Sequence, residues 1–247
     1  MSDPHAAYRY SFDSVAEQYE RARPEYADDA VDWALEQLGL RQGSRVLDLA
    51  AGTGKLTRQL VARGLDVVAV EPGDEMRGVL ERVLPGVESL AGTAEAIPLE
   101  DSSVDGVTVG QAFHWFDRDG ALADIRRVLR PGGGLALLWN RWDEHDPLLG
   151  AVERLLQGVR PPAVGDRRDL GEMRDDFRQR RTMSIDQIVE WASSTSGWVN
   201  APRDEQQRLE AEIRRLGQGY AGAVSIATTV RIVQFSVGSS GIRATSS

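Results

Sequence analysis

No cysteine occurs in the 247 residues, which excludes a disulfide framework, a thiolate nucleophile and a thiolate metal site. Histidine is nearly missing as well. His5, His114 and His145 lie far apart without metal-ligand spacing, so no metal is expected. No apolar run is long enough to span a bilayer, and the opening MSDPHAAYRY lacks the apolar segment of a secretory signal. Basic charge is scarce: 29 Lys and Arg face 38 Asp and Glu, giving a net charge of −9 and a pI of about 5.0. The densest basic stretch, Arg174 to Arg181, is interleaved with Asp175 and Asp176 and reads as a solvated face. Duplex and RNA binding draw most of their affinity from phosphate contacts, so this charge balance disfavours them. These absences predict a cytoplasmic protein with neither a nucleic-acid nor a membrane partner.

What the chain does have is a 41% apolar content, enough to bury a core in one domain of this length. It also has one conspicuous turn, in Arg45 to Gln59, RVLDLAAGTGKLTRQ. The apolar run Val46, Leu47, Leu49 ends in Ala50-Ala51-Gly52-Thr53-Gly54, and Leu56, Leu60 and Val61 then follow at helical spacing. Strand, tight loop and helix in that order bring backbone N–H groups and a helix N-terminus to a ligand. Gly52 and Gly54 suit positive φ and close approach of a ligand to the backbone. Asp48 is a carboxylate in an otherwise apolar strand. Because unpaired buried charge is costly, it is expected to face a polar ligand or the loop amides.

A phosphate-binding loop needs Gly-x-x-x-x-Gly-Lys-Ser/Thr. Here Leu56 follows Lys55 and no glycine stands five positions before Gly54. A dinucleotide fingerprint needs Gly-x-Gly-x-x-Gly, but Thr57 occupies the third glycine position. That disfavours an NAD-dependent oxidoreductase, as does the lack of a Tyr-x-x-x-Lys proton relay.

The alternation continues past the turn. Strands are predicted at 66–70, 87–90, 104–109 and 135–139, with helices through Met76 to Val83 and from Arg118 to Leu129, the latter stopped by Pro131-Gly132-Gly133-Gly134. Apolar strands alternating with helices form an α/β, doubly wound, mostly parallel sheet covered on both faces. Ligands of such sheets bind at the carboxyl ends of the strands. Those ends carry Asp48, Glu71, Gly92 to Glu95, Gly110 to Phe116, and Asn140. Glu71 closes the second strand, where a carboxylate can accept hydrogen bonds from both ribose hydroxyls of an adenosine.

Asp48, Gly52 and Gly54 resemble the first motif, Asp-x-Gly-x-Gly-x-Gly, of the class I S-adenosylmethionine-dependent methyltransferases, with Ala50 in place of the first glycine. Glu71, Thr93-Ala94-Glu95 and the string Gln111-Ala112-Phe113-His114-Trp115-Phe116 continue the likeness. It covers residues 8 to 140 well and the remainder loosely. The resemblance implies a Rossmann-like methyltransferase fold with S-adenosylmethionine as cofactor. It also implies cofactor contacts at Asp48, Ala50, Gly52, Gly54, Glu71, Pro72, Ala94, Glu95 and Gln111. An aromatic face near a sulfonium offers a cation–π contact of about 0.5–2 kcal/mol, which brings in Trp115 and Phe116. His114, with an unperturbed pKa of about 6.5, is a candidate general base; the other reading is a histidine that only bonds its loop. The implied reaction is O-, N- or C-methylation of a small molecule, the alternative being a cofactor-binding, non-methylating member of the fold.

Before the turn, Tyr8, Phe12, Val15 and Tyr19 fall at helical spacing and Arg23-Pro24-Glu25-Tyr26 breaks the run. This leader is either an amphipathic packing helix or, as in the family, a cap over the site with Tyr19, Arg23 and Tyr26 toward the ligand. A second helix is predicted over 28–38. Beyond Asn140, itself a candidate for the acceptor side, helices are predicted at 147–157, from Ser184, and at 204–216, with a mobile loop over 159–169 and a late strand over 228–237. Phe177 to Arg181 reads as too short and too charged for a strand, so the sheet is expected to be one strand short or rearranged at that edge. Trp142, Trp191 and Trp198 are candidate pocket-lining residues, with plain packing the commoner fate. The expected organisation is a cap (1–40), a cofactor-binding core (41–140), substrate-side helices with the last strand (141–240) and a flexible tail (241–247).

Overall fold

A computed structural model of the chain describes residues 15–159, 173–220 and 223–235. Tyr8, Phe12, most of the expected loop over 159–169 and the C-terminal tail lie outside them. The first described helices are α1 (Ala16–Ala22) and α2 (Asp28–Gln37). The alternating core follows: β1 (Arg45–Leu49), α3 (Lys55–Ala62), β2 (Asp66–Val70), α4 (Asp74–Val83), β3 (Glu88–Leu90), β4 (Val104–Gly110), a short 3-10 turn (Phe113–Trp115), α5 (Arg118–Val128) and β5 (Leu129–Trp142). The rest is α6 (Pro147–Gln157), β6 (Met173–Thr182), α7 (Ile185–Ser193), α8 (Ser196–Val199), α9 (Arg203–Leu216) and β7 (Ala223–Gln234).

The seven strands form one sheet in the order β3-β2-β1-β4-β5-β7-β6. The first five are parallel, whereas β7 runs antiparallel to both β5 and β6. Strand order reverses between β1 and β4, which puts the binding crevice at the carboxyl ends of those two strands. Alternate residues send apolar groups to opposite faces. Leu47, Leu49, Val70, Val107, Val109, Leu135 and Leu137 join Ala121, Ile125 and Val128 of α5 in one core layer. Val46, Val67, Ala136, Leu138, Val230 and Ile232 join Ala30, Val31, Ala34, Leu56 and Leu60 from α2 and α3 in the other.

Two expectations are corrected. The charged segment around Phe177 to Arg181 is a strand after all, and the sheet is complete at that edge. β6 pairs with β7 from Met173↔Ile232 to Thr182↔Ala223. An edge strand needs no second apolar neighbour, and charges along it discourage further pairing. Phe177 packs on Trp33 with ring centroids 5.8 Å apart, and the exposed arginines face outward as expected. The run Pro131 to Gly134 does not separate α5 from β5. It belongs to β5 itself, whose pairing with β4 shifts register between Val104 and Gly106.

Candidate functional site

The chain leaves β1 through three left-handed residues: Ala50 (φ 56°), Gly52 (φ 59°) and Gly54 (φ 85°). The two glycines serve different ends. A side chain on Gly52 would meet nothing within 4 Å, so this side of the turn is open space. A side chain on Gly54 would press on Leu84 Cδ1 at 2.9 Å and Leu80 Cγ at 3.0 Å, so this glycine allows α3 to seat against α4. Ala50 adopts a conformation that disfavours any Cβ. Gln111, at the end of the neighbouring β4, is left-handed as well (φ 63°). Left-handed non-glycine residues are uncommon and gather at functional sites, and these two close adjacent strands at the switch point.

Glu71 joins β2 to the turn. Its Oε2 accepts from the Gly52 amide at 2.8 Å and its Oε1 from the Gly73 amide at 2.9 Å, and the residue is 8% exposed. Pro72 follows as the bend between these anchors and α4. The two amides orient the Glu71 carboxylate at the end of β2.

Asp48 faces polar groups: the hydroxyls of Thr57 and Thr108 and the Thr57 backbone in the first turn of α3. It is 1% exposed; Oδ2 accepts from Thr57 Oγ1 at 2.6 Å and Oδ1 from Thr108 Oγ1 at 3.1 Å. Burial raises its pKa to about 6 against the lowering effect of those hydrogen bonds. Strand alternation puts this side chain on the inner α3 side, so it braces β1, β4 and the first turn of α3 from below the crevice.

The leader packs over this crevice. Tyr19 packs with Ala16, Met76 and Val79, and the Arg23 guanidinium lies 5.0 Å from its ring centroid. Burial raises the Tyr19 hydroxyl pKa, Arg23 opposes this, and the nearby Glu71 and Glu20 carboxylates add to it. Arg23 Nε and Nη2 also donate to Ser194 Oγ at 2.8 Å and to Ser194 O at 2.9 Å, which ties the leader to the end of α7. Tyr26 is buried over the end of β4, where a side chain on Gly110 would strike its hydroxyl. Burial raises the Tyr26 pKa well above 10, with Tyr19 and Asp48 contributing.

Glu20 was missed from the sequence. Its carboxylate accepts from Thr53 Oγ1 and Arg58 Nη2, both at 2.7 Å, and lies 3.6 Å from Lys55 Nζ, so it fastens α1 to the glycine turn and the start of α3. Burial lowers the Lys55 pKa, which Glu20 opposes. The signal was available: helical spacing puts Glu20 on the same face as buried Ala16, one step from Tyr19.

The remaining strand ends divide. Ala94 is buried, while Glu95 is half-buried and accepts from the Asp117 amide at 2.9 Å, linking the loop after β3 to the start of α5. The 3-10 turn after β4 splits the aromatic string. Trp115 and Phe116 pack in the core with α5 and β5, where the tight turn directs them. Phe113 is half-buried against Phe116 with centroids 5.5 Å apart, and His114 is exposed beside the Trp115 ring. Asn140 is buried. Its amide is spent on Pro24, Glu25 and Thr228, and its backbone oxygen accepts from Gln111 Nε2 at 2.9 Å. Trp142 and Trp191 stack with centroids 3.8 Å apart in a separate core with Trp198, Leu149 and Ile213, so the three tryptophans are packing residues. A cavity of about 480 Å³ lined by residues 38–44, Asp105 and 130–133 opens at the amino ends of β1 and β4, away from all of these groups. Among the described residues no cluster of His, Asp and Glu has metal-binding geometry.

With this geometry in place, comparisons with known proteins are specific. A family model for a methyltransferase domain matches residues 47–137, which run from β1 into β5. An uncharacterized methyltransferase of Mycobacterium tuberculosis is 43% identical over 213 residues, covering 83% of this chain and 85% of its own length. A structure from Anaeromyxobacter dehalogenans, provisionally described as a type II methyltransferase, superposes with a TM-score of 0.63 at 25% identity, covering 85% of this chain and 96% of its own. Phosphoethanolamine N-methyltransferase 2 of Haemonchus contortus, solved with phosphomonomethylethanolamine and S-adenosylhomocysteine, shares the fold with a TM-score of 0.54 at 18% identity. It covers 94% of this chain and 60% of its own.

Proposed function

The chain belongs to the class I S-adenosylmethionine-dependent methyltransferases, and on that premise we propose that it methylates a small molecule at the carboxyl ends of β4 and β5. The observation that carries the site assignment is Glu71. Its carboxylate is pinned by two backbone amides at the end of β2, next to a glycine turn whose Gly52 faces open space. A side chain already oriented in this way meets a diol without losing further conformational freedom.

Glu71 would hold the ribose. The backbone of Ala50 to Gly54 and the left-handed Gln111 would receive the amino-acid end, and Ala94 with Glu95 would border the adenine. Asp48 would act beneath them by fixing Thr57 and Thr108. Bound S-adenosylmethionine supplies a methyl group already activated on a sulfonium. The work left to the protein is alignment and exclusion of water, which alone account for large rate gains. Tyr19, Arg23 and Tyr26 would exclude water as the wall over β1 and β4. Exposed His114 would stand on the acceptor side, after the end of β4. The net charge of −9 supports a small acceptor over a polyanionic one.

Calorimetric titration tests the reading: S-adenosylhomocysteine binds in the micromolar range and NAD does not. Absence of binding by either would overturn it. Radiolabelled donor offered with small acids, phenols and amines then finds the acceptor class. The strained Ala50 favours one second reading, a member that holds the cofactor without turnover; it would bind S-adenosylhomocysteine and label no acceptor.

A further inference from the structure

Residues 24–27 join α1 to α2 as an extended, largely buried stretch. Helix α2 takes the Ala27 carbonyl, but no main-chain bond among the described residues serves the carbonyls of 24–26 or the amides of 26 and 27, and buried backbone groups need partners. Side chains from four other elements supply them. Asn140 Nδ2, at the end of β5, donates to Pro24 O at 3.0 Å and to Glu25 O at 3.1 Å. Gln179 Nε2 of β6 donates to Glu25 O at 2.9 Å. Gln59 of α3 accepts from the Tyr26 amide at 3.2 Å and donates to Tyr26 O at 2.9 Å. Thr228 Oγ1 of β7 accepts from the Ala27 amide at 3.3 Å and donates to Asn140 Oδ1 at 2.7 Å.

The Thr228 hydroxyl thereby fixes the Asn140 amide, with oxygen toward Thr228 and both N–H groups toward the leader. Asn140 is 9% exposed and Thr228 0%, so water does not substitute for either. The same Asn140 presents its backbone oxygen to Gln111 Nε2, which connects the leader to the left-handed end of β4. The gripped stretch carries Tyr26, packed on Gly110, and is preceded directly by Arg23, which covers Tyr19 beside Glu71.

We propose that Asn140 and Thr228 are positioning residues that set the height of residues 23–26 over the crevice, and through it the affinity for the methyl donor. The proposal rests on the methyl-donor reading of that crevice. Neither residue touches the donor; they act through the leader and through Gln111.

The test compares Thr228→Val, which keeps the shape and removes the hydroxyl, with Thr228→Ser, which keeps the hydroxyl, both in the full chain. Calorimetry with S-adenosylhomocysteine is expected to give about a tenfold loss of affinity for Thr228→Val, the loss of about one buried hydrogen bond, and near wild-type affinity for Thr228→Ser. Hydrogen exchange at the Tyr26 and Ala27 amides is expected to speed up in Thr228→Val alone. Equal affinity in both variants, or equal losses in both, overturns the proposal. If the wild type itself binds no S-adenosylhomocysteine, the donor reading fails instead, and exchange still tests the latch: equally slow exchange in both variants overturns it. Should Thr228→Val not fold, Gln179→Ala on the edge strand removes one grip on Glu25. A measurable loss of affinity with an unchanged melting temperature supports the proposal, and unchanged affinity overturns it.

Discussion

Glu71 and Gly52, nineteen positions apart in sequence, meet through one hydrogen bond of 2.8 Å from the glycine amide to the carboxylate. That bond makes the end of β2 and the turn after β1 a single unit. Glu71→Ala removes this acceptor and the one facing Gly73, so it acts on ligand contacts and on the shape of the turn together. The expected result is a loss of S-adenosylhomocysteine affinity of about 1–3 kcal/mol by calorimetry, the range for losing hydrogen bonds to a charged group. Glu71→Gln keeps one oxygen acceptor and is expected to lose less. Unchanged affinity in Glu71→Ala would exclude Glu71 from the ligand.

The strand-and-helix alternation was legible because parallel strands buried on both faces leave long apolar runs, and because glycine marks the places where the chain must turn left. The residues at the strand ends were legible for the same reason: Asp48 and Glu71 are charges where an apolar pattern calls for none. Direction was not legible. Asp48 lies one residue from apolar neighbours on either side, and only the pairing of β1 with β4 reveals that it points at Thr57 and Thr108. β6 escaped because an edge strand carries charge instead of the period-two apolar signal. Asn140 was legible as a polar strand end, and Glu20 shares a helix face with Ala16, but their partners were not: Pro24 and Thr53 lie 116 and 33 positions away, and one-dimensional spacing does not report such meetings.

Ala50 holds a left-handed backbone at φ 56°, a conformation that costs an L-residue about 1–2 kcal/mol relative to glycine. Part of that is returned in the unfolded chain, which glycine leaves freer by about 0.4–1 kcal/mol. Ala50→Gly is therefore expected to leave thermal stability unchanged or slightly raised. Ala50→Val, with a branched Cβ, is expected to lower it clearly. A marked drop in melting temperature for Ala50→Gly would mean that the alanine methyl is needed for its packing on the core beside β1.

Asp48 gives stability a pH dependence of unusual sign. Its folded pKa of about 6 lies above the ordinary 3.8, so between these values the folded state binds more proton than the unfolded one. Stability contributed by this group is therefore full below pH ~3.8 and falls as pH rises through ~6, by about 3 kcal/mol at about 1.4 kcal/mol per pKa unit. Asp28, Asp105, Asp124, Asp143 and Asp176 have lowered pKa values from hydrogen bonds and nearby arginines, and they drive stability the other way. The difference between wild type and Asp48→Asn isolates the one group. Urea unfolding from pH 4 to 8 is expected to show the Asp48→Asn variant gaining on wild type as pH rises. A pH-independent difference would mean that Asp48 stays charged in the folded state throughout.

His114 separates alignment from proton transfer. It is exposed on the 3-10 turn after β4, whereas Trp115 and Phe116 beside it are buried, so its removal leaves the core and the Glu71 anchor intact. His114→Ala is expected to melt with wild type and to bind S-adenosylhomocysteine unchanged. General acid–base groups contribute about 10²–10⁴-fold to rate. Once an acceptor is in hand, a turnover within about tenfold of wild type fits transfer to a nucleophile that needs no base. A fall of a hundredfold or more, with the KM for the donor unchanged, would make the imidazole the base. A basic role would also show as a turnover that falls at acid pH in the wild type and loses that fall in His114→Ala. Both outcomes read the acceptor: a phenol or acid that must lose its proton calls for the histidine, and a neutral amine does not.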